Sequence, residues 1–289
     1  MPKIEINRER CNNCGLCARD CASGTLQVVE DEVRVEEPTW CNLCSHCVAV
    51  CPQDAVIHEG LSGSESRRID RDRTDAECYR EVVMARRSVR HFKDEPVDRD
   101  EIEEILDLAR YSPTASNTMD VGYVVITDRE LIDKVGEKIF RQGEKFAAFL
   151  EKPAGKVVKK LFGNNNTLKG ILRYADRIDT FKEWVASGRN PVTHKAPAMI
   201  IIHGPEKGRF VPENAAIAAA NITNYAHARG LGTCYLGLVV VPAERSEKLS
   251  RRLGVPEGRK ICMALALGRP AYRYRNTPIR PAPDVTWIE

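Results

Sequence analysis

The sequence predicts an α+β protein in two parts: a small cysteine-rich module over residues 1–58 and a larger domain over residues 77–289. Three observations carry this expectation. Eight of the eleven cysteines fall between residues 11 and 51. The stretch that follows, EGLSGSESRRIDRDRTDA at 59–76, is rich in Gly, Ser and alternating charge and has almost nothing to bury, which is the composition of a linker. Beyond it, helix-like and strand-like apolar patterns intermix without a repeating β-α-β order, so the larger domain reads as α+β.

The bulk properties agree. A chain of 289 residues, 43% hydrophobic and 29% charged, is that of a folded protein of one large or two ordinary domains. The net charge of +3 is too balanced to point to nucleic acid or a membrane surface as partner. No run approaches the ~18 apolar residues of a spanning helix. The opening MPKIEINRER has no apolar core for a secretory signal. The expectation is a cytoplasmic protein, where disulfides are rare, so the cysteines need another explanation.

They form two runs of identical spacing. Cys11, Cys14, Cys17 and Cys21 make C-x2-C-x2-C-x3-C; Cys41, Cys44, Cys47 and Cys51 repeat it, followed by Pro52. Three thiolates at this interval wrap a short loop around one corner of a metal cluster, and the fourth projects away to reach a second. Zinc is the rival, because paired Cys-x2-Cys units can make one tetrahedral site. It needs only four thiolates and leaves half of these idle, so the duplication favours two iron–sulfur clusters.

Residues 1–58 resemble a bacterial two-[4Fe-4S] ferredoxin. The resemblance implies crossed ligand sets: Cys11, Cys14, Cys17 and Cys51 for one cluster, and Cys41, Cys44, Cys47 and Cys21 for the other. Ala22 departs from the proline that usually follows the fourth cysteine. Between the runs, Leu26, Val28, Val33 and Val35 alternate with polar residues across Glu30-Asp31-Glu32, predicting a hairpin. The module carries five Lys/Arg against nine Asp/Glu, or −4, leaving +7 for the remainder. That asymmetry favours docking of the module on a basic surface over free tethering.

In the larger domain a helix is expected over 77–88. A second starts at Asp98, with Glu101 completing a capping box and Ile102, Ile105, Leu106 and Ala109 forming an apolar stripe. Gly122–Thr127 and Ala198–His203 read as strands. The stretch from Asp128 to about Val158 reads as interrupted helix, and Pro212–Arg229 as an alanine-rich helix stopped by Gly230. Strands are expected at Thr233–Val239 and Ile261–Leu267, with a helix from Pro242 to Leu253 between them.

Three segments carry chemistry. Ala85-Arg86-Arg87-Ser88-Val89-Arg90 sets three guanidiniums and a hydroxyl at a helix end, a match for phosphate oxygens. Ser112-Pro113-Thr114-Ala115-Ser116-Asn117 is a small polar loop able to hydrogen-bond a polyol or a ring edge. Gly230 to Gly237, with three glycines, permits close backbone approach to a flat ligand, although tight packing also uses glycine.

In this order, over residues 77–289, the three segments resemble the flavin-dependent nitroreductases. The resemblance implies an intertwined homodimer with FMN at each subunit interface. Arg86, Arg87, Ser88 and Arg90 then gather round the FMN phosphate and ribityl chain, with Ser116 and Asn117 at the ribityl and ring edge. The Gly237 N–H faces flavin N5, where hydride arrives and leaves, and Arg275 of the carboxyl-terminal segment completes the phosphate site. Met119 replaces a glutamine common in the family. The segment 141–195, with GNNNT at 163–167, Trp184 and His194, corresponds to a variable lid where substrate choice resides.

The combined expectation is an electron-transfer flavoenzyme passing electrons between [4Fe-4S] clusters and FMN, in either direction. Its substrate would be a small organic molecule such as a nitro compound or a quinone-like acceptor, and its electron partner a ferredoxin or NAD(P)H. The alternatives are an NAD(P)H-dependent nitroreductase with ancillary clusters and a non-catalytic redox sensor. A sensor needs a partner-binding module that no motif supplies.

Overall fold

The computed structural model describes residues 3–60, 66–162 and 166–289. Leu61–Glu65 of the expected linker and Gly163–Asn165 of the GNNNT run lie outside them. The chain divides into two compact units, one of residues 1–75 with 114–119, the other of 76–113 with 120–289.

The first unit is a duplicated β-helix-β arrangement. Strand β1 (Ile4–Ile6) leads through helix α1 (Leu16–Arg19) to the hairpin of β2 (Leu26–Val29) and β3 (Glu32–Val35), and α2 (His46–Val50) leads to β4 (Val56–His58). The hairpin follows the expected alternation, pairing Leu26 with Val35 and Val28 with Val33. Its turn residues Glu30 and Asp31 both have positive φ, as a two-residue hairpin turn requires. The sequence reading missed β1 and β4, which pair antiparallel with Ile6 opposite Val56; three-residue strands are too short to show a period.

The duplication is written in the backbone. Left-handed residues recur thirty positions apart, at Asn13 and Leu43, Gly15 and Ser45, and Gly24 and Asp54. Leu43 and Ser45 lack glycine's freedom, so their loop is held there by its surroundings. Ile4, Leu26, Val33 and Val56 form the core, with the buried Cys17 and Cys47 packed among them. That is little apolar surface for an independent unit.

The second unit begins with α3 (Ala76–Ala85) and α4 (Arg99–Ala109), then β5 (Gly122–Ile126). Four helices follow: α5 (Arg129–Leu150), α6 (Pro153–Phe162), α7 (Asn166–Ala175) and α8 (Ile178–Ala186). The rest comprises β6 (Ala198–Pro205), α9 (Val211–Ala228), β7 (Gly232–Tyr235), α10 (Gly237–Glu244), α11 (Glu247–Arg252) and β8 (Arg259–Gly268). The four strands form one antiparallel sheet in the order β5-β6-β8-β7.

Both faces of this sheet are covered, which explains the unbroken apolar runs of β6 and β8. Met199 and Ile201 of β6, with Ile261, Ala264 and Ala266 of β8, face a core shared with α5, α8, α10 and α11. Ala198, Ile200 and Ile202, with Leu265 and Leu267, face α4 and α9. The alanines of α9 serve this second face: Ala215, Ala218 and Ala219 are buried, and Gly230 takes positive φ just past the helix end.

Two expectations fail. The strand drawn over Thr233–Val239 ends at Tyr235, and α10 runs from Gly237 through Pro242, where the following helix was expected to begin. Leu238 to Val241 is β-branched and apolar enough to look like strand, but burial of Val239 and Ala243 against the sheet overrides propensity. The capping box at Asp98 also does not form. Asp98 makes no side-chain cap bond, and Glu101 instead accepts from Arg269 Nη2 at 2.8 Å. Among the described residues no helix is long and apolar enough to cross a membrane.

Candidate functional site

In the first unit the eight cysteines sort into two groups of four. Burial raises the Cys17 thiol above its ordinary range, and the nearby Cys51 and Cys11 raise it further. Burial pushes Cys47 up to about 11, with Cys44, Cys21 and Cys41 adding to the effect. Each buried thiol thus has neighbours from its own loop and one from the other loop. Cys11, Cys14, Cys17 and Cys51 line one recess, together with Ile6, Leu16, Val33 and Val56. For Cys21, burial is outweighed by hydrogen bonds from the Ser23 hydroxyl and the N–H groups of Leu26, Ser23 and Thr25, so its thiol lies below the usual range. None of the eight is in a disulfide. Among the described residues, no three His, Cys, Asp or Glu gather tightly enough to hold a single metal ion.

In the second unit, α3 ends at Ala85 and the basic segment runs on to meet the sheet. Ser88 bridges Thr233 of β7, and Val89 N–H donates to Thr233 O at 2.9 Å. Gly232 makes this possible, since a Cβ there would sit 2.6 Å from Val89 Cγ2. The three guanidiniums are thereby set beside β7. Arg86 and Arg90, with Ser88, act on buried Cys234. Arg86 and Arg87 act on His227, whose pKa is lowered first by burial and then by their charge.

No carboxylate among the described residues forms an ion pair with Arg86, Arg87 or Arg90. Arg87 hydrogen-bonds through Nη2 to Met84 O, while its Nε is buried without a partner. Burial lowers the Arg87 pKa, and the charges of Arg86 and Arg280 lower it further. The carboxyl-terminal segment therefore brings Arg280 toward Arg87, a residue the sequence reading passed over. Arg275, in the same segment, is exposed, and Arg269 is bound to Glu101 and Glu95.

Gly237 is exposed at the first position of α10, where its N–H has no intrahelical acceptor. A Cβ added to it would meet nothing within 4 Å, so the space above it is open. His194 is a second residue that motif reading could not place. It has a φ of 57°. Burial, then Arg90 and His91, holds its pKa at about 4. Ser116 and Asn117 occupy a 3-10 turn with left-handed φ of 52° and 53°. That turn belongs to the first unit.

A two-faced antiparallel sheet, with guanidiniums beside its edge strand that no carboxylate among the described residues pairs, defines the second unit as an α+β fold. Residues 83–269 match the nitroreductase family, and the chain belongs to that family and is an oxidoreductase. A protein of Archaeoglobus fulgidus, provisionally named an NADH dehydrogenase/NAD(P)H nitroreductase, is 25% identical over 67% of this chain and 86% of its own length. The fold is similar to that of a nitroreductase with bound FMN from Bacteroides fragilis. The TM-score is 0.54 at 19% identity, covering 75% of this chain and 100% of that one. A polyferredoxin, MvhB, of Methanothermus fervidus is 39% identical over 62 residues, 20% of this chain and 14% of the polyferredoxin.

Proposed function

We propose that the chain is an iron–sulfur flavoprotein oxidoreductase that passes electrons between two [4Fe-4S] clusters and FMN to reduce or oxidise a small organic molecule, such as a nitro compound or a quinone-like acceptor. The observation that carries the flavin part is the group of Arg86, Arg87 and Arg90, which no carboxylate among the described residues neutralises, with Arg87 Nε lacking a hydrogen-bond partner. Clustered like charges repel one another, and a phosphate group would neutralise them. FMN supplies one- and two-electron chemistry when bound, and the clusters single-electron transfer.

The chain's own residues have defined parts in this reading. Arg86, Arg87, Ser88 and Arg90, joined by Arg280, hold the phosphate. The Gly237 N–H offers a donor to the ring where no side chain intrudes. Ser116, Asn117 and Arg275 remain candidates by resemblance. The two four-thiol groups, crossed between loops, fit two four-iron clusters, each iron taking one thiolate. The reading includes a homodimer, with a ferredoxin or NAD(P)H as redox partner.

Anaerobic rapid mixing of oxidised protein with NADH, NADPH and reduced ferredoxin, following the flavin and cluster bands, tests it. The full chain should show ferredoxin-driven flavin reduction, and a chain lacking residues 1–75 should bind FMN but lose that reduction. A truncated protein that accepts electrons from ferredoxin at the full rate contradicts the reading. It would favour an NAD(P)H-dependent nitroreductase with ancillary clusters, the activity in the Archaeoglobus protein's name.

A further inference from the structure

Hydrogen bonding distinguishes the two four-thiol groups. His58, the last residue of β4, sits opposite Ile4 with its side chain half-buried. Gly60 N–H donates to His58 Nδ1 at 3.2 Å. Nδ1 is therefore the unprotonated nitrogen, and Nε2 carries the hydrogen. Nε2 lies 3.4 Å from Cys41 Sγ, and Leu43 N–H reaches the same sulfur at 3.4 Å. In the same group, the Ser23 hydroxyl is 3.5 Å from Cys21 Sγ.

The other group is more sparsely served. Ala55 N–H reaches Cys51 Sγ at 3.3 Å and the N–H groups of Ala18 and Cys17 serve Cys17, but no donor among the described residues reaches Cys11, whose Sγ faces the acceptor Asn13 Oδ1 at 3.4 Å. The thirty-residue duplication makes the contrast sharper. Cys41 corresponds to Cys11, and His58 corresponds to Val28, which has no side-chain donor.

Resting on the two-cluster reading above, we infer that His58 sets the redox balance between the clusters: its Nε2–H, donated to Cys41, makes the cluster of Cys41, Cys44, Cys47 and Cys21 the higher-potential one. An added electron increases negative charge on the ligating sulfurs, so an N–H donor stabilises the reduced form more than the oxidised form. The first electron delivered to the module therefore settles at this cluster.

The test is an anaerobic dithionite titration of the full, cluster-loaded chain, followed by electron paramagnetic resonance. His58→Val copies the residue at the duplicated position. It should lower the higher midpoint alone, by about tenfold in the reduced-to-oxidised ratio or about 59 mV for one electron. His58→Gln, which keeps an N–H donor, should recover most of the shift. Two unchanged midpoints, or equal movement of both, overturn the inference while leaving the clusters in place. A wild-type protein that takes up no iron and sulfide would instead overturn the two-cluster reading.

If His58→Val fails to retain both clusters, wild type labelled with 15N-histidine answers the same question by pulsed resonance. The reduced high-potential cluster should couple to an imidazole nitrogen, and the coupling should survive His46→Gln. No coupling overturns the inference.

Discussion

Arg87 shows how one side chain can expose a site without a ligand present. Its Nε has no hydrogen-bond partner, and its neighbours Arg86 and Arg280 are like-charged, so an anion bound among them would relieve their repulsion. Arg87→Ala should weaken FMN binding by about 1.5–3 kcal/mol, about ten- to a hundredfold in affinity. Riboflavin, which lacks the phosphate, should bind parent and variant equally weakly by fluorescence titration; equal losses for both ligands would misplace the phosphate. His194 makes a separate prediction. Burial, then Arg90 and His91, depresses its pKa from 6.5 to about 4, so between those values the unfolded chain binds a proton that the folded chain refuses. Stability present above pH 6.5 should fall as pH drops through that window, by up to about 3 kcal/mol. His194→Asn, which tolerates the left-handed backbone, should flatten this dependence in denaturant titrations at pH 7 and 5. An unchanged slope would assign the pH dependence to other groups.

Among the elements, the contact between the basic segment and β7 depends on one missing methyl group. Gly232→Ala would place a Cβ 2.6 Å from Val89 Cγ2, displacing the segment that carries Arg86, Arg87 and Arg90. The expected outcome is a loss of about 1–3 kcal/mol in thermal stability with reduced FMN occupancy. Full occupancy at unchanged stability would show that the segment can be displaced without harm to the site. The sequence displayed this glycine among others but not its partner, because the bridge to Ser88 spans 145 residues of chain. The hairpin was legible because its alternation and turn are local. The start of α10 was not, because β-branched residues in a buried helix look like strand until the sheet they cover is known. The proximity of Arg280 to Arg87 was invisible for a related reason: spacing cannot say which of several arginines in an extended segment comes near another.

For the whole molecule, the sequence made its strongest statement where its pattern was repeated. The eight cysteines in two runs of identical spacing were readable in the sequence, the crossed ligand sets are what the resemblance implies, and left-handed residues recur thirty positions apart. The unequal hydrogen bonding of the two groups was not readable, because His58 reaches Cys41 through a strand pairing too short to leave a period. The central claim is that one chain carries both a flavin and two clusters, and metal and flavin analysis of anaerobically purified full-length protein tests it most directly. The protein should hold about eight iron and about eight sulfide per chain, with about one FMN. Zinc at about one or two per chain, with little iron, would contradict it.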